Sequence, residues 1–191
     1  MPTTKAEKTH HHILTLAAHE ASLSGIANLT AGKLAKATGL SKSGLYAHFG
    51  SMQSLQIAVI DFIAAYFVEE VARPGFAAPV GEARLRALFD LWVSWSQHPD
   101  RPGGCQLLAA SFDYDGLDSP VRDHLANWIE KWLKTLETEA SKAGLPDPAS
   151  TSATALALYS AQHIQTHLLR NASAADWARD EWDECLTKNA L

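Results

Sequence analysis

A chain of 191 residues, 47% hydrophobic and 19% charged with only 8 Pro and 11 Gly, has the composition of one or two folded units and excludes a long disordered chain. No apolar run approaches the roughly 20 residues of a membrane-spanning helix, no short apolar block with a cleavage site opens the chain, and Cys105 and Cys185 are too few for a disulfide framework, so a reducing, cytoplasmic setting is expected. The formal charge of −5 is unevenly spread: residues 1–50 carry five lysines against Glu7 and Glu20, a net of +3, while the other 141 residues carry 11 basic and 19 acidic side chains, a net of −8.

Apolar residues recur at helical spacing almost throughout and no stretch alternates as a strand does, so the expected fold class is all-α. Ile13, Leu14, Ala17 and Ala21 form the apolar stripe of a first helix, about 4–23. Thr30 is placed to cap a short helix over 31–38 that Gly39 stops, and Ser41 to cap a second short one ending at His48. Ser51 caps a long helix, about 51–73, whose apolar face carries Leu55, Val59, Phe62, Ile63 and Tyr66, and Arg73-Pro74-Gly75 is expected to end it. Leu85, Leu88, Phe89, Trp92 and Trp95 mark a helix over 82–97; a Pro/Gly turn from His98 to Gly104 leads to a short helix over 105–113. Asp118 or Ser119 caps an amphipathic helix over 120–143, which ends at Gly144 with Pro146 and Pro148 beyond. A helix over 149–171 is rich in small residues, and a polar, acidic one over 174–188 completes the series. This order divides the chain into a short-helix head, 1–50, and a longer-helix body, 51–191.

From Ala31 onward the spacing satisfies a helix-turn-helix. Two steeply crossing helices need a small side chain where they nearly touch, and Ala35 stands there; the turn needs a residue tolerant of positive φ, and Gly39 stands there. Leu34, Leu40 and Leu45 are spaced to close the wedge. The second helix would present its first residues to a major groove while flanking groups hold phosphates, with Lys42, Ser43, Tyr46 and His48 as suitable donors. Attraction to phosphate depends on the field within a Debye length, about 8 Å, so the basic first block is the part of the charge that bears on DNA.

The run from Gly25 to Ala35 resembles the entry to the second helix of the TetR (tetracycline-repressor) family, and Leu40-Ser41-Lys42-Ser43-Gly44-Leu45-Tyr46-Ala47-His48-Phe49 resembles its recognition helix. Ile13-Leu14, Ala17-Ala18 and Leu55 fit the flanking helices. The resemblance covers about 50 residues and implies an N-terminal three-helix DNA-binding domain followed by a helical bundle for ligand binding and dimerisation. It implies that Thr30 and Tyr46 bind phosphate, that Lys42, Ser43 and Gly44 face bases or nearby phosphates, and that His48 contacts the backbone; Lys33 joins this DNA-facing set. Met52 stands where the family usually has Lys and cannot hold a phosphate, and Gly44 replaces a more usual Thr or Ala.

In that family the body pairs two subunits and holds an inducer pocket. Independently, the helices over 120–143 and 149–171 read as an αα-hairpin whose small residues permit close approach, the material of a two-fold four-helix interface. A homodimer would set two recognition helices about 34–36 Å apart on a near-palindromic operator. Phe62, Tyr66, Trp92, Trp95, Phe112 and Trp128, with Cys105, Gln106 or His163 for polarity, could line a pocket for an apolar or aromatic effector, although such aromatics also serve as ordinary core. The expected function is therefore a ligand-responsive regulator, a repressor released from operator DNA by that effector. The alternative is a redox-responsive regulator on the same scaffold, switched through Cys105 near a helix N-terminus.

No metal or other cofactor is expected. His10, His11 and His12 point about 100° apart on a helix and cannot converge. His163 and His167 share a face, but no carboxylate or cysteine is placed to complete a site. Enzymatic activity is not expected either: Asp113 and Asp115 beside Gly116 read as a turn, and no glycine-rich loop cradles phosphate.

Overall fold

The structure is a computed structural model that describes residues 4–188; residues 1–3 and 189–191, which the expected divisions 1–50 and 51–191 include, lie outside the described residues. Every regular element among the described residues is helical: α1 (Lys5–Ser24), α2 (Ala31–Thr38), α3 (Lys42–Phe49), α4 (Met52–Phe67), a π-helical turn (Val68–Ala72), α5 (Arg73–Phe76), α6 (Glu82–Ser96), α7 (Gln106–Tyr114), α8 (Pro120–Lys142), α9 (Pro148–His167) and α10 (Ala174–Lys188). None of these helices is long and apolar enough to cross a membrane.

Side-chain caps set most of the starts. Thr4 and Glu7 form a reciprocal capping box on α1. The side chains of Thr30, Ser41, Ser51, Ser119 and Asp147 each accept a first-turn N–H at 2.9–3.2 Å. Each such bond satisfies an otherwise orphaned donor and is worth about 1 kcal/mol.

Two expected ends move. The long fourth helix does not stop at Arg73-Pro74-Gly75; the chain passes through the π turn, where the Arg73 N–H donates to the Val68 carbonyl, and stays helical to Phe76. Pro74 falls in the first turn after the π turn, where its missing N–H is least costly. Gly75 is buried there because a side chain would run into Leu88 of α6, so this glycine serves close packing rather than termination. The helix expected over 149–171 ends at His167, where Arg170 adopts φ 55° and the Leu169 N–H turns back to the Ile164 carbonyl. Neither Gly nor Pro marks that stop.

Packing groups the chain into two units. The first comprises residues up to 65 together with 100–126, and its core includes Ile13, Ala17, Ile26, Leu34, Leu45, Leu55, Val59 and Ile60. Residues 100–126 join it through polar as well as apolar contacts. The Gly103 N–H donates to Ser22 Oγ at 3.4 Å, Gln106 Nε2 to the Ala18 carbonyl at 3.4 Å, and His124 Nε2 lies 2.7 Å from Asp61 Oδ1. Packing therefore sets 51–65 and 100–126 with the head, a grouping that chain order alone does not reveal.

The second unit comprises 66–99 and 127 onward. Trp182 is its largest fully buried side chain; it stacks on Phe89 at 4.9 Å and donates Nε1–H to the Leu85 carbonyl at 3.3 Å, fixing α10 against α6. Arg84 of α6 bonds the buried Glu139 of α8 at 3.1 Å and the Ala78 carbonyl at 3.0 Å, tying a helix pair and the turn before α6. Lys142 reaches the other Glu139 oxygen at 2.7 Å.

Candidate nucleic-acid interface

The wedge forms from sequence-local causes. Leu34 of α2 and Leu45 of α3 are fully buried, and Ala31, Leu29 and Ile26 are buried too. Gly39 closes α2 in the left-handed region, φ 71°, ψ 11°, where a side chain would clash with its own backbone. Ser41 then opens α3 by accepting the Gly44 N–H at 3.0 Å, while its hydroxyl also pairs with Ser43 at 2.9 Å. Burying Leu45 on one side of α3 turns Lys42, Ser43 and Tyr46 outward; all three are exposed, Tyr46 by 40%.

The other residues expected to meet DNA are placed differently from one another. Thr30 and Lys42 come together: a Cβ on Gly32 would lie 4.0 Å from Thr30 Oγ1 and 3.8 Å from Lys42 Cε, so the lysine stem lies along the start of α2. A hydroxyl, a helix N-terminus and an ammonium thus share one place, a combination suited to a phosphate. Gly44 is half-buried at the start of α3, with Ser41 Oγ 3.3 Å from where its Cβ would be. Lys33 is differently occupied: Nζ bonds Glu20 Oε1 on α1 at 3.2 Å, and that bond, seconded by Ser24, holds the Glu20 carboxyl below its ordinary range. Spacing along the chain gave no sign of this partner, thirteen residues away. His48 closes α3 half-buried, its ring 6.3 Å from His10 of α1.

Two family models match the chain: bacterial regulatory proteins of the tetR family over residues 13–59, and the tetracyclin repressor-like C-terminal domain over 81–182. The chain belongs to the TetR family. TetR-family proteins are DNA-binding transcriptional regulators, and the first match contains the whole α2–turn–α3 wedge. Solved structures share the fold along nearly the full length. A TetR transcriptional regulator from Chloroflexus aurantiacus J-10-FL is 24% identical, with 97% of each chain covered and a TM-score of 0.85. A TetR-family regulator from Cytophaga hutchinsonii is 18% identical over 99% of this chain and 98% of its own, with a TM-score of 0.83. AibR, solved in complex with isovaleryl coenzyme A and operator DNA, is 19% identical over 93% of this chain and 97% of its own, with a TM-score of 0.72. No curated protein sequence matches closely enough to serve as a relative.

The effector-pocket candidates of this TetR-family chain are divided between its units. Phe62, Cys105 and Phe112 belong to the first, where Phe62 meets the His11 ring edge at 5.4 Å, Cys105 is buried and Phe112 is 61% exposed. Tyr66, Trp92, Trp95, Trp128 and His163 belong to the second. There Trp92 and Trp95 are buried, Tyr66 is exposed, and Trp128 lies half-buried under Lys131 Nζ at 5.6 Å. The aromatic cluster that forms around Trp92 includes residues the sequence reading passed over: Tyr159 stacks on it at 4.1 Å, and Trp132 stands edge-on to both Trp92 and Phe67 at 5.4 and 4.8 Å. Their signal was present as four-residue steps from Trp128 to Trp132 and from Tyr159 to His163.

His163 and His167 do share a face, with ring centroids 4.7 Å apart. Burial first, and the neighbouring His167 second, push His163 down to about 4 from 6.5. The unfolded chain therefore binds a proton here that the folded chain refuses between those values. The contribution to stability is complete above pH 6.5 and is lost as pH falls toward 4. Urea midpoints at pH 7.5, 5.5 and 4.5 should fall less steeply with acid in His163→Leu than in the wild type; parallel falls would show that this imidazole does not titrate abnormally.

Proposed function

We propose that this TetR-family regulator is a repressor that grips a near-palindromic operator as a homodimer and lets go when a small aromatic or apolar molecule occupies its body. The observation that carries the DNA half is the outward face of α3, where Lys42 and Tyr46 stand exposed on either flank of the buried Leu45, with Lys42 close to Thr30. Thr30, Lys42, Ser43, Tyr46 and His48 are the contacts we assign to the operator. Lys33 is assigned a weaker, salt-sensitive part because Glu20 already neutralises it. Pairing of subunits through α8 and α9 is the arrangement their length and the small residues of α9 favour.

The effector half is supported by the aromatic cluster around Trp92 and by three ring nitrogens buried without a hydrogen-bond partner: Trp132 Nε1 within that cluster, and His163 Nδ1 and His167 Nε2 four and eight residues after its Tyr159. Buried polar atoms of this kind are costly unless something completes their bonding. Aromatic walls with a few unmet donors and acceptors suit a planar, largely uncharged molecule. AibR, whose structure holds both an acyl coenzyme A and operator DNA, is one fold relative in which both partners are seen together. The redox reading through Cys105 has less support, because that side chain is buried away from an aqueous oxidant.

The test is fluorescence anisotropy of the full chain on DNA from upstream of its own gene, across a salt series, paired with thermal-shift screening against indole, phenol and benzoate. Retention that weakens steeply with salt is expected, together with at least one compound that raises Tm and loosens the DNA. Absence of binding even at low ionic strength removes the operator reading; binding that no such compound loosens removes the effector reading.

A further inference from the structure

Two imidazoles and a phenyl ring meet where the recognition helix ends. His10 of α1 stacks on Phe49 with centroids 4.5 Å apart and planes 27° from parallel, and the same His10 ring lies 6.3 Å from His48. All three residues are half-buried. The next residue of α1, His11, turns instead to the edge of Phe62 on α4 at 5.4 Å. The last residues of α3 therefore meet α1 through the His10 ring.

Imidazoles titrate near pH 6.5 as a class, within the range a cell and a binding assay can visit. Two cations about 6 Å apart repel, so a charge on one imidazole opposes a charge on the other. The rings are not equivalent. His10 is covered by Phe49 and takes its burial from the α1–α3 contact, and burial first, then the charges of His48 and His11, hold it below its ordinary value. Those are the titratable groups acting on it: His48 from α3 and His11 from its own helix. His48 occupies the last turn of α3, where the carbonyl end of the helix favours a cation.

We infer that operator binding takes up a proton on His48, and that His10 is the positioning residue behind it, seating the end of the recognition helix through Phe49 and staying neutral so that His48 can carry the charge. The inference rests on the reading above that His48 faces the DNA backbone. A phosphate oxygen accepting from a protonated imidazole forms a charge-assisted hydrogen bond, stronger than a neutral one, and the proton comes from solvent. By linkage, affinity then rises as pH falls through the imidazole range. The gain is tenfold for each pKa unit by which the phosphate raises His48, so about three- to tenfold per head for a solvent-edge contact.

Operator affinity of the full chain is to be measured at constant ionic strength from pH 8.0 to 6.0, with histidine ring resonances followed in parallel on free and DNA-bound protein. The wild type should tighten toward pH 6, and His48→Gln should be weaker at pH 6 with a flat profile. His10→Ala should weaken binding at every pH, and His10→Phe, which keeps the stack without the base, should restore it. On DNA the His48 titration should move up and that of His10 down. A flat wild-type profile, an unmoved His10 resonance, or His10→Phe no better than His10→Ala overturns the inference. The two levels separate cleanly. If His48→Gln binds with wild-type affinity and salt slope, the placement of His48 on DNA fails; if it binds more weakly while the wild-type profile is flat, that placement stands and the proton linkage fails.

Discussion

Arg84→Ala should lower stability by about 3–5 kcal/mol while leaving the recognition helix untouched. The Glu139 carboxylate is only 2% exposed, and Arg84 both pairs with it at 3.1 Å and fastens the Ala78 carbonyl at 3.0 Å. Removing the guanidinium strands a negative charge inside the second unit with Lys142 alone, itself half exposed, as its counter-ion. The measurement is the urea midpoint of the single variant beside Arg84→Met/Glu139→Leu. Replacing both ions by apolar groups of similar volume should recover most of the loss, because the cost lies in a buried charge left to the half-exposed Lys142 rather than in the missing pair. A double variant no more stable than the single one would show instead that Arg84 acts through packing on the Phe76 ring, over which its guanidinium sits at 5.5 Å.

Lys42→Ala combined with Tyr46→Ala is expected to weaken operator binding about 100-fold at moderate salt, with little change in Tm. Both side chains are exposed, so truncation removes few internal contacts, whereas the fully buried Leu45 one position before Tyr46 would carry the opposite signature if replaced. Lys42→Ala alone should reduce the slope of log affinity against log salt by about one per head, the mark of a lost phosphate contact. Tyr46→Phe separates the hydroxyl from the ring. Loss of binding accompanied by an equal fall in Tm would mean that these residues hold the wedge together rather than the DNA.

Sequence exposed what depends on near neighbours. The α2 and α3 limits were legible because Thr30, Ser41 and Gly39 act within three or four residues of themselves. Leu34 and Leu45 were legible as the wedge because spacing alone puts them on facing sides. What escaped depends on partners distant in the chain. Glu20 meets Lys33 across two helices, and Tyr159 and Trp132 converge on Trp92 from two others. Nothing local signals that the turn at Gly103 returns to Ser22, or that a chain cut at residue 50 parts side chains that pack together. The stop of α9 was missed for a different reason: Arg170 takes the left-handed position that a glycine would have advertised.

The π turn sets a limit on how this chain can vary. In an ordinary α-helix, residues spaced by four drift about 40° around the axis at each step. The wider turn over Val68–Ala72 absorbs that drift, so Phe67, Val71 and Gly75 are all buried in succession. Glu69 and Glu70 are exposed on that turn, which holds one residue more than regular pitch would. Deleting either would rewind the segment to regular pitch and leave Gly75 facing Leu88, because the π turn holds one residue more than an α-helical turn; inserting a residue would swing everything downstream by about 100° and bring a bulkier neighbour toward the space only a hydrogen atom fits. Loss of one residue from this turn should therefore be tolerated, and a further insertion hardly at all.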